Sequence, residues 1–261
     1  MDKATLAGLF LAVGGILFGL VLEGGNLGQV LQPTAAMIVF GGTLGAILIQ
    51  FPLPVVLSAF RRLAHVFREP EADAHASIDT LVQFAKQARR EGIVSLDREL
   101  GNLKDAFLRR ALMLAVDGTE PQELRKIMEF ELDSQEEQDE KIPQVFESAG
   151  GFSPTIGIIG AVLGLIQVMQ HLDKIDEVGK GIAVAFVATI YGVGAANLFF
   201  LPAAGKLKIR IRDEQVIREM TLEGVISILE GMNPHMLESK LLGFLTQARE
   251  SAEPPPEVSR A

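Results

Sequence analysis

The sequence predicts an all-α integral membrane protein with four transmembrane helices in two hairpins and a cytoplasmic helical domain. Three observations predict it. Four apolar stretches, at 6–22, 34–51, 152–170 and 181–202, contain no Asp, Glu, Lys, Arg or His. At about 1.5 Å per residue, each is close in length to the ~30 Å core of a bilayer. The stretches form two pairs around a charged middle block, and no strand signal of any length interrupts them.

The first stretch could be mistaken for a secretory signal. Lys3 alone precedes it, however, and Glu23-Gly24-Gly25 follows it in place of a small-x-small cleavage site. A second apolar run starts within about a dozen residues, which makes a membrane hairpin. Arg61, Arg62 and Arg68 flank the end of the second stretch, and Lys206, Lys208, Arg210 and Arg212 the end of the fourth. The segment 23–33 has no Lys or Arg, and Lys174 and Lys180 near the other turn are balanced by Asp173, Asp176 and Glu177. Both termini and the middle block are therefore expected in the cytoplasm.

After the second stretch, Pro52 and Pro54 punctuate the exit, and 55–67 reads as a short amphipathic helix near the interface, ended by Arg68-Glu69-Pro70. Apolar residues recur at 78, 81, 82, 85 and 88, a helical stripe. Gly92 breaks it, and Ile93, Leu96, Leu100, Leu103 and Phe107 suggest a second stripe. Thr119-Glu120-Pro121 signals a further helix, with Thr119 as N-cap and Pro121 in the first turn, expected to run to Lys141. Beyond the fourth stretch the helix continues over 206–231 with no breaker at the membrane boundary. Gly231-Met232-Asn233-Pro234 turns the chain into a last helix at 235–250, and the Pro-rich tail lacks the apolar area to fold. The expected organisation is a hairpin at 1–53, a cytoplasmic helical domain at 54–150, a second hairpin at 151–204, cytoplasmic helices at 205–250 and a disordered tail at 251–261.

Composition narrows the chemistry. Of the 261 residues 48% are hydrophobic, and the net charge of -9 owes much to 129–140, where seven acids cluster. Nucleic acid is thereby excluded as a ligand. There is no Cys, and His65, His75, His171 and His235 lack the spacing of a metal site, so neither an enzyme nor a cofactor is indicated. Membrane spans without a titratable side chain cannot carry an ion alone. The carrying carboxylate must come from another chain.

Polar residues in the stretches are few and include Thr34, Thr43 and Gln50 in the first pair, and Thr155, Gln167, Thr189, Tyr191 and Asn197 in the second. Each needs a partner or a pore in lipid. Thr155 and Thr189, with Tyr191 beside the latter, could line a hydrated path. Small residues four apart (Gly15 and Gly19, Gly41 and Gly45, Gly160 and Gly164, Gly192 and Ala196) favour close helix packing. Pro154 and Pro202 bracket the second hairpin and could act as hinges to the cytoplasmic helices. In the middle block Arg89 sits at the edge of its stripe and Arg90 on the polar face. Asp97 flanks the next stripe and Arg98 points away from it, giving a charged ridge suited to docking.

The segments FSPTIGIIGAVLGLIQVM from Phe152, GIAVAFVATIYGVGAANLFFLPAAGKLK from Gly181 and ARREGIVSLD from Ala88 resemble the A subunit of the bacterial flagellar motor stator, the MotA/PomA family. The resemblance extends over nearly the whole chain. It implies five A subunits around two B subunits (MotB/PomB-like), each B chain supplying a membrane Asp and a peptidoglycan-binding domain. It also implies contact with the rotor protein FliG. By position, Pro154 and Pro202 match the family's functional prolines, and Arg89, Arg90 and Asp97 its rotor-contact charges. Relatives often carry a second acid where this chain has Arg98. Sodium-type relatives have Thr where this chain has Ala161, which implies proton coupling, while Thr189 matches a hydroxyl common to both types. The rival reading is an energiser of the ExbB/TolQ type, but its three spans disagree with four here.

Overall fold

In a computed structural model the described residues are 3–66 and 74–252, and among them every regular element is helical. The expected break at Arg68-Glu69-Pro70 and most of the Pro-rich tail lie outside the described residues. Four helices are long and apolar enough to cross a membrane. The chain divides into two compact units, one of 1–69 with 139–209 and the other of 70–138 with 210–261.

The first unit holds the spans. Helix α1 (Lys3–Leu22) exposes Phe10, Leu11, Ile16 and Phe18, as a lipid-facing helix should. Gly24, at φ 79°, turns the chain into a 3₁₀ turn (Leu27–Val30) capped by Asn26, whose Oδ1 accepts from the Gly28 N–H at 2.9 Å. The second span comprises α2 (Pro33–Ala36), a π turn (Met37–Gly41) and α3 (Gly42–Gln50). Amphipathic α4 (Leu53–Val66) then buries Val56 and Ala59.

The largest departure from expectation is α8 (Pro121–Gln170), a single helix of 50 residues with Pro143 and Pro154 inside it. The sequence suggested an end at Lys141. Instead Ile142, Val145, Phe146 and Ala149 bury in one core with Val56 and Ala59. Side-chain packing there carries the helix past Pro143, which removes one backbone bond and sets its ring against the Asp139 carbonyl. The fourth span is likewise continuous into the second unit: α9 (Ile175–Ala195), a π turn (Ala196–Phe200) and α10 (Leu201–Leu229). Pro202 explains that π turn. Its ring collides with the carbonyl four residues back and offers no N–H, and the widened turn absorbs the mismatch.

The second unit comprises α5 (Ala74–Glu91), α6 (Asp97–Leu100), α7 (Ala106–Val116), the start of α8, the end of α10 and α11 (Pro234–Ala252). Its core gathers Ile78, Leu81, Val82 and Ala85 from the α5 stripe with Leu112, Met128, Met220 and Leu237. The second expected stripe is not one helix. A 3₁₀ turn (Ile93–Leu96), α6 and α7 share it, because Asp105 caps α7 by accepting from Phe107 N–H (2.9 Å) and Leu108 N–H (3.3 Å). Leu96 and Phe107 still reach the core, from separate elements. Nor does Thr119 cap α8, which opens at Pro121. Its N–H instead bonds Leu114 O at 3.1 Å, closing α7 behind Gly118 at φ 84°.

One carboxylate ties three of these helices. Glu223 of α10 accepts from Arg125 Nη2 of α8 (2.7 Å) and Lys240 Nζ of α11 (2.5 Å). Burial alone would raise its pKa, but the hydrogen bonds from Lys240 and Arg125 outweigh that and hold it below the ordinary value. A carboxyl lowered in this way contributes stability that is complete above its unfolded pKa and lost as pH falls through the folded one. Glu219 works in the opposite sense, raised by burial and by Glu136. Glu223→Gln is expected to lower the melting temperature of the detergent-solubilised chain at neutral pH, with the difference from wild type shrinking as pH drops below about 4. A wild-type melting curve for the variant at neutral pH would contradict this.

Candidate ion-pathway and rotor-contact sites

Spans three and four meet along a seam of small residues. A Cβ on Gly160 would come within 2.8 Å of Ala188 Cβ, and one on Gly164 within 2.7 Å of Gly181 O and 2.9 Å of Ala185 N. Gly192 is tighter still, at 2.5 Å from Ser153 O and 3.2 Å from Pro154 Cα. Two of the expected small pairs, Gly160/Gly164 and the glycine of Gly192/Ala196, thus serve this seam. Gly15, Gly19, Gly41 and Gly45 have no atom within 4 Å of such a Cβ.

Ser153 escaped the sequence reading. It is fully buried, and its hydroxyl donates to Gly192 O at 2.9 Å, crossing from α8 to α9 one residue before Pro154. The signal was present: a hydroxyl beside the proline, in a span whose other polar side chains are Thr155, Gln167 and Gln170. The bond pins the Pro154 turn to the residue four before the π turn that ends near Pro202. Pro154 is half-buried and Pro202 exposed.

Thr155 and Thr189 fall on neighbouring helices at adjacent levels, since a Cβ on Gly157 would lie 3.5 Å from Thr189 Cα. They do not bond each other. The Thr155 hydroxyl donates to Phe152 O (2.8 Å) and that of Thr189 to Ala185 O (3.2 Å), so each is satisfied on its own helix. Thr155 is exposed, while Thr189 and Ala161 are half-buried. Tyr191 is committed elsewhere. Its hydroxyl donates to Val30 O (2.5 Å) and accepts from Gln32 N–H (3.2 Å), and its ring lies 6.0 Å from that of Phe40. It therefore ties span four to the segment entering span two.

In the second unit, Arg89 and Arg90 end α5, and Asp97 and Arg98 open α6. All four are exposed, and none has an ion pair among the described residues. The turn between the two pairs is fixed. Gly92 sits at φ 83°, Ser95 Oγ donates to Gly92 O (2.7 Å), and Gln87 Nε2 donates to Ser95 O (3.2 Å). Two charged segments are thereby held together on a braced corner. Among the described residues no group of three His, Cys, Asp or Glu could hold a metal.

Comparison with known proteins gives this arrangement its relatives. Residues 6–92 match the motility protein A N-terminal family, and residues 99–220 match the MotA/TolQ/ExbB proton channel family. Motility protein A of Bacillus subtilis (strain 168) is 36% identical over 249 residues, covering 94% of this chain and 91% of its own. A structure of C. jejuni MotAB aligns with TM-score 0.88 at 32% identity over 100% of both chains. The flagellar MotAB stator complex from Bacillus subtilis aligns with TM-score 0.85 at 35% identity, covering 97% of this chain and 100% of that one. The chain belongs to the MotA/PomA family of flagellar stator proteins, within the MotA/TolQ/ExbB superfamily.

Proposed function

We propose that five copies of this chain form a sleeve in the bacterial inner membrane around the single membrane helices of two B-type subunits. Proton passage at the B-chain Asp then turns the sleeve against FliG. The observation that carries this reading is the absence of any Asp, Glu, Lys, Arg or His from the four spans, in a chain that aligns end to end with MotAB structures. A stator made this way must borrow its ion-binding carboxylate. Both termini and the second unit face the cytoplasm, where the corner of Arg89, Arg90, Asp97 and Arg98 meets the rotor. Thr155, Ala161 and Thr189 line the side of the sleeve that the proton passes, and Tyr191 holds the adjoining loop. Pro154 and Pro202 transmit the motion.

Ala161 supports protons over sodium. Sodium must exchange its hydration shell for several oxygen ligands, whereas a proton needs only a carboxylate and water. One charge crossing about 100 mV releases roughly 2.3 kcal/mol, so each step is small and rotor contacts must release readily. Cells dependent on this chain are expected to swim at full speed without sodium and to stop when a protonophore collapses the proton gradient. Swimming that tracks sodium concentration would overturn the proton reading. Four spans, together with the match to the motility protein A N-terminal family, favour the stator over the ExbB/TolQ energiser.

A further inference from the structure

Among the described residues, Asp139 is the one charged residue that is buried, at 7% exposure. Its Oδ1 accepts from Arg62 Nη2 at 2.8 Å, joining α8 to α4. These two helices already adhere without it. Val56 and Ala59 share a core with Ile142, Val145, Phe146 and Ala149, and the Phe60 ring stands edge-on to Phe146 at 6.1 Å. A buried ion pair adds little net stability to such a contact, because desolvation consumes most of the attraction and apolar groups of the same volume hold equally well. What it adds is direction. Sliding one helix along the other separates the two charges, whereas apolar side chains tolerate a shift.

The place where this direction is imposed matters. Pro143 stands four residues after Asp139 and has no N–H, so the Asp139 carbonyl lacks the donor that an uninterrupted helix would supply. The backbone of α8 is weakened at this turn, as it is again at Pro154. Helix α4 leads the chain out of span two, and α8 leads it into span three. The pair therefore fastens two of the strands of chain that connect membrane spans to cytoplasmic helices.

We propose that Arg62 and Asp139 are positioning residues for torque. They lock α4 to the proline-weakened turn of α8, so that force entering α8 from its cytoplasmic end reaches span three in register instead of being lost as sliding. Full-length variants replace the wild-type chain in its own host, with membrane content read by immunoblot and swimming read by microscopy. The deciding variant is Arg62→Met with Asp139→Leu, which fills the site and removes both charges together. It is expected to accumulate as wild type does and to fail to swim. Swimming at wild-type speed would reduce the pair to packing and end the proposal. Failure to accumulate would end it equally, because the pair would then serve the fold. The wild-type chain in the same strain supplies the swimming reference, so an error in the stator reading shows there first.

Discussion

Gly192→Ala is expected to abolish swimming by forcing spans three and four apart beside Pro154. The added methyl carbon would lie 2.5 Å from Ser153 O, 3.1 Å from Gly157 Cα and 3.2 Å from Pro154 Cα. All three are backbone atoms, so no rotamer change can make room. Relief must come from helix displacement, which also stretches the bond from Ser153 to Gly192 O. Overpacking of this kind costs about 1–3 kcal/mol. In a membrane the loss is felt in full, because lipid is as apolar as the seam and close contact is what holds the helices together. Gly45→Ala is the matched control, since its methyl would meet nothing within 4 Å. Thermal unfolding in detergent and spreading on soft agar check both. A Gly192→Ala chain with the melting temperature and motility of wild type would refute the seam.

Much of this architecture is legible in the sequence because the bilayer imposes a length on every span and helices impose a period on every buried face. Residues 78, 81, 82 and 85 announce α5 for that reason, and Gly92 and Gly231 mark its end and that of α10 through the positive φ each adopts. The misreadings share a physical cause: they depend on partners distant in the chain. Lys141 was the expected end, yet packing on α4, some 80 residues earlier, sustains the helix. The bond that engages the Tyr191 hydroxyl likewise reaches Val30, 161 residues away. The pairing of Arg62 with Asp139 leaves no local trace either, for each is one charge among many near it. Within the candidate sites, local pattern singled out Pro154, Thr189 and the Arg89 corner as candidates. It missed Ser153, whose value appears only when Gly192 is opposite.

The second large effect lies at that corner. Reversing Arg89 and Arg90 together to Glu is expected to stop swimming while leaving the fold intact. Both guanidinium groups are exposed and unpaired among the described residues, so their removal touches no core and breaks no ion pair. The fold should feel only the exchange of two favourable charges for two unfavourable ones at the end of α5, each charge worth about 0.3–1 kcal/mol. Recognition should feel far more. A surface that steers a partner by complementary charge is turned against it, and the nearby Asp97 then deepens a single negative patch. Arg98→Glu tests the same principle from the other side. It changes one residue, where the resemblance leads to an expected acid, and should alter swimming less than the double reversal does. Under the proposed rotor contact, exchanging acidic residues of the rotor partner for lysine should restore motility to the double variant. Unchanged swimming in the Arg89→Glu/Arg90→Glu strain, with normal membrane content, would remove this corner from the torque path.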